Sequence, residues 1–136
     1  MGKMLYEELT GKIIGAFYQV YNDLGYGFLE KVYENALAHK LRQAGLTVQQ
    51  QHPVRVYYEG LIIGEFFADM LVDERVMLEL KTAETIAPIH QAQLTNYLKA
   101  TPIELGLLLN FGPKPAFKRQ LLTNDRKPSL KSIKNP

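Results

Sequence analysis

Asp69, Glu79 and Lys81 are the residues of this 136-residue chain whose types and spacing could do chemistry together. They fall in two strand-like segments, Leu61–Val72 and Val76–Lys81, separated by Asp73-Glu74-Arg75. If Val72 and Val76 close a hairpin across that loop, counting back places Asp69 directly opposite Glu79, on one face of the sheet. Directly opposed residues have Cβ atoms roughly 4.5–5.5 Å apart, and like charges there destabilise a sheet unless something positive lies between them. A divalent cation resolves the conflict: Mg²⁺ takes one or two carboxylates and completes its shell with water and phosphate oxygens. Lys81 lies two residues beyond Glu79, so alternation puts it on the same face, where its ammonium could position a water or neutralise charge developing on a phosphate. The arrangement depends on register, because a slip of one residue would send the carboxylates to opposite faces.

A Glu-x-Lys pair on a strand is most often just a solvated surface. Here Leu78 and Leu80 make the opposite face apolar, while Phe67, Leu71 and Met77 make the charged face partly apolar as well. Charges in such surroundings need partners. Other polar groups have helical spacing. His90, Gln93 and Tyr97 fall at i, i+3 and i+7 and share a helix face, where Gln93 and Tyr97 could steady a substrate or a water. The alternative is a Tyr97 packed in the core, a Gln93 capping a backbone group and a His90 facing solvent. In Gly27-Phe28-Leu29-Glu30-Lys31-Val32-Tyr33, Glu30 opens a helix, and its carboxylate either reaches the metal or answers the helix dipole.

The elements that position these groups follow from periodicity. Leu9, Ile13, Ile14, Phe17, Val20, Tyr21 and Leu24 recur at spacings of three and four, which predicts a first helix from about Tyr6 to Leu24. A second helix runs from about Leu29 to Ala44 and ends at Gly45. Alternation of Val54, Val56 and Tyr58 then marks a strand, preceded by a strand-like Leu46–Gln51 that Pro53 interrupts. Glu59-Gly60 turns the chain into the segment containing Asp69, with Gly64 as a candidate bulge. Pro88 begins a helix that stops near Ala100, before Pro102. Leu105–Phe111 reads as a strand covered on both faces, and Phe117–Leu122 as a last strand. The order ααβββαββ predicts an α/β fold, a mixed sheet flanked by helices, with a meander in its first three strands. Residues 1–122 read as a single domain and 123–136 as a polar, basic tail, frayed at its end.

Composition limits the chemistry. With no cysteine, disulfides and thiolate ligands are excluded, so any metal uses oxygen or histidine donors, which suits Mg²⁺ or Mn²⁺. A net charge of +2 and a pI of about 8.8 are too mild to announce a nucleic-acid binder through bulk electrostatics. Lys99, Lys114, Lys118 and Arg119 could line a phosphate track, or serve only solubility. No apolar run approaches the ~20 residues that span a bilayer, and Met1–Thr10 lacks a signal-peptide stretch, so the expected location is the cytoplasm. The small size makes a homodimer physically useful.

Four motifs together resemble the GxxExxY proteins, a branch of the PD-(D/E)XK nuclease superfamily: Gly27 to Tyr33, Phe67-Ala68-Asp69-Met70-Leu71-Val72, Leu78-Glu79-Leu80-Lys81, and Gln93-Leu94-Thr95-Asn96-Tyr97-Leu98. The similarity extends from about Leu9 to Leu122. It implies a restriction-endonuclease-like core, Asp69 and Glu79 as metal ligands, Lys81 as the catalytic lysine and Glu30 as the helix carboxylate that joins them. Gln93 and Tyr97 resemble the Gln-x-x-x-Tyr motif of RecB-type exonucleases. Ala68 stands where the superfamily has the proline of its name, a position that shapes backbone rather than chemistry. The implied activity is a Mg²⁺- or Mn²⁺-dependent nuclease acting on DNA, or on RNA, through a metal-activated water. A non-catalytic nucleic-acid-binding or protein-interaction module on the same fold, and a hydrolase of small phosphorylated molecules, stay open at this point.

Overall fold

The apolar stripes and breakers resolve into elements in the expected order. A computed structural model describes residues 5–127. It contains α1 (Glu7–Leu24), α2 (Glu30–Gln43), β1 (Val48–Tyr58), β2 (Leu61–Val72), β3 (Val76–Lys81), α3 (Pro88–Lys99), β4 (Leu105–Phe111) and β5 (Pro115–Leu121), then a single 3₁₀ turn, Asn124–Arg126. The stripe of α1 buries Ile13, Phe17 and Val20. Just past α2, Gly45 has φ +85°, a left-handed conformation that a side chain disfavours and that ends a helix cheaply. Pro88 occupies the first turn of α3, where its missing N–H costs nothing.

The strands form one sheet in sequence order, β1-β2-β3-β4-β5. The first three are an antiparallel meander, β3 and β4 are parallel across the α3 crossover, and β5 returns antiparallel. Helices α1 and α2 cover one face, packing Phe17, Tyr33 and Leu37 on Met70, Leu78 and Leu109. Helix α3 covers the other, setting Leu94 and Leu98 on Met77 and Leu108. Covered on both sides, β3 and β4 are buried throughout, except for half-exposed Lys81, hence their nearly unbroken apolar sequences. Pro53 does not interrupt β1 as the sequence suggests: β1 is an edge strand, where a residue without N–H can stand. The bulge expected at Gly64 falls on its neighbour, because Val56 pairs with Gly64 and Tyr57 with Ile62, leaving Ile63 over.

The β2–β3 ladder has the register read from the loop: Val72 faces Val76, Leu71 faces Met77 and Met70 faces Leu78. There it stops. Asp69 and Glu79, expected as the next directly opposed pair, are not joined as a backbone rung. The β1–β2 ladder also skips this level, where Gln51 lies opposite Asp69 with φ +56°. Met70 and Val72 pack with the α1–α2 layer, whereas Phe66 and Ala68 pack with the α3 layer. Side-chain alternation therefore reverses at Asp69, and beyond it β1 and β2 continue as a two-stranded ribbon that β3 no longer accompanies.

In the segment read as a tail, Lys127 is buried, and its Nζ donates to the carbonyls of Thr101 (2.7 Å) and Ile103 (2.8 Å). Residues 128–136 lie outside the described part of the chain. Among the described residues, no helix is long and apolar enough to cross a membrane.

Candidate active site

Where the ladder ends, side chains replace the missing rung. The Leu80 N–H donates to Asp69 Oδ2 at 2.7 Å, and the Asp69 N–H donates to Glu79 Oε2 at 3.3 Å. Each carboxylate is thus oriented by the backbone of the opposite strand. Two acceptor groups in one gap remain short of positive charge, because neutral N–H donors offset only part of the cost of burying carboxylates.

That cost shows in their acidity. Glu79, 8% exposed, is pushed up to about 8, by burial first and then by the charge of Asp69, with the Asp69 N–H and Lys81 pulling the other way. Burial likewise raises Asp69; the Leu80 N–H, Lys81 and the nearby Gln51 side chain pull it down, while the charge of Glu34 pushes it up. Glu30, at the start of α2, is raised by desolvation and then by Asp69, and lowered by Lys81. The Tyr97 hydroxyl is raised by desolvation and then by Glu79 and Asp69. Five of the six site residues implied by the resemblance, Glu30, Asp69, Glu79, Lys81 and Tyr97, therefore act on one another across a single site. Carboxylates whose pKa values are raised by burial first and by each other's charge second are what a divalent cation would relieve. Among the described residues, however, no three carboxylate or imidazole groups converge into a ready-made metal cluster.

Gln93, the sixth, is exposed and lines a groove of about 360 Å³ with Val56, Phe66 and Tyr97. The Tyr97 ring lies against Phe66 at 4.1 Å, so it combines packing with a hydroxyl near the carboxylates. His90 turns back instead, its Nδ1 accepting the Ala87 N–H at 3.1 Å and thereby capping α3.

Glu34 and Gln51 are polar groups that act on Asp69 and that the motifs do not name. Glu34 is only 4% exposed and accepts from Gln50 Nε2 (2.8 Å), Gln51 Nε2 (3.0 Å) and Lys31 Nζ (3.2 Å). Gln51 also favours the charged form of Asp69, so it couples Glu34 on α2 to the site. A signal for Glu34 was present: it falls four residues after Glu30 and three before Leu37, a charge on the inward stripe of α2. The four basic residues considered as one track separate. Arg119 is committed to Leu5 O (2.7 Å) and Thr10 Oγ1 (3.4 Å), and Lys99 lines the Tyr97 groove. Lys114 and Lys118 line another cavity with Thr85 and Asn110.

A family model described as the PD-(D/E)XK nuclease superfamily matches residues 7–120. Among solved structures, the fold is similar to that of an alkaline exonuclease from Laribacter hongkongensis. The two share 14% identity over 92% of this chain and 73% of the exonuclease, with a TM-score of 0.50. It is also similar to a protein described as SSO0001, with 19% identity over 87% of this chain and a TM-score of 0.52. This chain spans 60% of that protein's length. At such identities the likeness is one of fold, and the mixed sheet with its flanking helices is the restriction-endonuclease-like core. No curated protein matches significantly.

Proposed function

Because the chain belongs to the PD-(D/E)XK nuclease superfamily, we propose that it is a divalent-metal-dependent nuclease of the GxxExxY branch that hydrolyses phosphodiester bonds in DNA. The observation that carries this reading is the Asp69–Glu79 exchange: a buried and a half-buried carboxylate fill a gap in the sheet, and that placement raises the pKa of both above the ordinary carboxylate value. Their hard oxygen donors fit Mg²⁺ or Mn²⁺, and two carboxylates suffice where substrate phosphate completes the shell. Asp69 and Glu79 are the proposed ligands, with Glu30 as a third carboxylate at the mouth of the site. When bound, the metal supplies Lewis acidity and lowers the pKa of a water. Lys81 is the proposed catalytic lysine, set to neutralise charge on the phosphate as the bond breaks. Tyr97 and Gln93, one helical turn apart, orient the substrate from the α3 side.

The test is cleavage of single- and double-stranded DNA and RNA with Mg²⁺ or Mn²⁺, with Lys81→Ala and Asp69→Asn as controls. Cleavage lost in both variants supports the reading; a purified chain that cuts nothing with either metal overturns it. The lack of a preformed three-group cluster among the described residues favours a second reading, a non-catalytic binding module on the nuclease fold. Calorimetric titration with Mn²⁺ decides between them, since the module predicts no binding, or binding indifferent to Asp69→Asn.

A further inference from the structure

The loop between α1 and α2, with the first turn of α2, turns apolar side chains outward beside this site. Tyr26 is 58% exposed, Phe28 49%, Leu29 80% and Val32 39%, and none of them belongs to either core layer. Exposed apolar groups gathered on one short segment signal a partner. The loop is nonetheless firmly held. The Tyr33 hydroxyl accepts the Phe28 N–H at 3.1 Å and donates to the Gly25 carbonyl, and the Phe28 ring meets Tyr33 edge-on at 6.1 Å. Gly27, at φ +117°, takes a conformation that side chains rarely adopt. The Phe28 ring is thus presented in place, on a turn whose backbone is fixed on both sides of Tyr26, which lowers the entropic cost of using the segment.

Their position indicates what they would bind. Glu30 begins α2 two residues after Phe28, so their Cα atoms are at most ~7 Å apart. A strand with a phosphodiester at the Asp69–Glu79 gap would bring its neighbouring bases to this loop. Charge alone is a weak handle here: Lys31 is paired with Glu34, Arg119 is committed elsewhere, and Lys81 is outnumbered around the gap by Glu30, Glu34, Asp69 and Glu79. Aromatic faces can supply the affinity, since every unpaired base has a face to stack and none needs a particular sequence.

We propose that Tyr26 and Phe28 form a stacking platform for unpaired bases next to the cleaved bond, so that the substrate is single-stranded or frayed-end nucleic acid rather than intact duplex. The proposal rests on the nuclease reading for the position of the bond, but its binding test is independent of catalysis. Fluorescence anisotropy of a short labelled oligothymidylate, and of a blunt duplex of equal length, is measured with the full chain carrying Lys81→Ala. The single strand is expected to bind more tightly, with a shallow dependence on salt. Tyr26→Ala and Phe28→Ala should each weaken it roughly tenfold, while Tyr26→Phe retains binding. Phe28→Leu, which keeps apolar bulk without a ring, should lose as much as Phe28→Ala, and Mn²⁺ titration and thermal melts should match the parent.

Equal affinity in the parent and the double alanine variant would overturn the platform, as would equal losses for single strand and duplex. So would the absence of any oligonucleotide binding, or ring variants that only abolish self-association in sedimentation. Ring-dependent binding without metal-dependent cleavage would sink the nuclease reading and keep the platform; cleavage indifferent to the rings would do the reverse.

Discussion

Tyr33 stacks on Phe111 with ring centroids 4.4 Å apart and planes 17° from parallel. Its hydroxyl meanwhile ties Gly25 to Phe28 across the turn that launches α2. One buried side chain thus joins the end of β4 to the start of the helix carrying Glu30. Tyr33→Phe keeps the stack and removes the tie, which should cost about 1–2 kcal/mol in urea unfolding. Tyr33→Leu should cost about 1 kcal/mol more, because the ring pair is lost as well. Equal stability of Tyr33→Phe and the parent would show that the hydroxyl does not hold the loop.

Glu79 makes the metal-free protein sensitive to alkali. Its folded-state pKa, about 8, lies above its ordinary value of 4.5, so between these pH values the native state holds a proton that the unfolded chain has released. The contribution of Glu79 to stability is therefore full below pH 4.5, falls as pH rises, and is lost above about 8. The decline is at most about 1.4 kcal/mol for each pH unit crossed between the two values. Denaturant titrations in EDTA from pH 5 to 9 should show it, and Mn²⁺ should remove it. Glu79→Gln should flatten the EDTA profile and abolish Mn²⁺ binding. Stability rising over this range would contradict the assignment.

Asp69 carries a structural and an electrostatic duty that two substitutions separate. Asp69→Asn keeps an oxygen for the Leu80 N–H, so it should fold with little loss while Mn²⁺ binding disappears. Asp69→Ala leaves that N–H without an acceptor and should cost about 1–3 kcal/mol more. Lys81→Ala, at a half-exposed position, should leave unfolding unchanged and reduce cleavage by roughly 10²-fold or more. Thermal melts beside single-turnover cleavage assays check both.

Gln51 acts through Asp69. Removing its amide in Gln51→Ala takes from Asp69 a group that favours its charged form, and from Glu34 one of its three hydrogen-bond partners. The expected result is a roughly 10- to 100-fold loss of Mn²⁺ affinity, the usual effect of deleting an outer partner of a ligand. Metal affinity equal to that of the parent would confine Gln51 to packing.

The element order is legible in the sequence because the stripes of α1 and α2, Pro88 in the first turn of α3, Pro102 just past its end, and Gly45 are each a strong local signal. The hairpin register is legible through Val72 and Val76, since a three-residue loop leaves the strands little choice. The end of the ladder is not. It arises where Gln51 adopts positive φ without being glycine, and nothing local in Gln49-Gln50-Gln51 announces that. The pairing of Asp69 with Glu79 is accordingly legible as proximity but not as an exchange of backbone donors. Arg119 is hidden for another reason: a basic residue on an edge strand looks free until the chain's beginning is laid against it.

The interruptions of β1 also bear on how the protein avoids its own copies. A regular outer strand of eleven residues would offer a continuous row of donors and acceptors to another chain, a template for runaway assembly. Gln51 turns the backbone out of line and Pro53 withholds a donor, so no long regular stretch remains along that edge. Replacing Pro53 with valine should shorten the lag of aggregation under mild heating, with folding otherwise intact. The same twist that opens the gap for Asp69 and Glu79 thus guards the sheet against polymerisation.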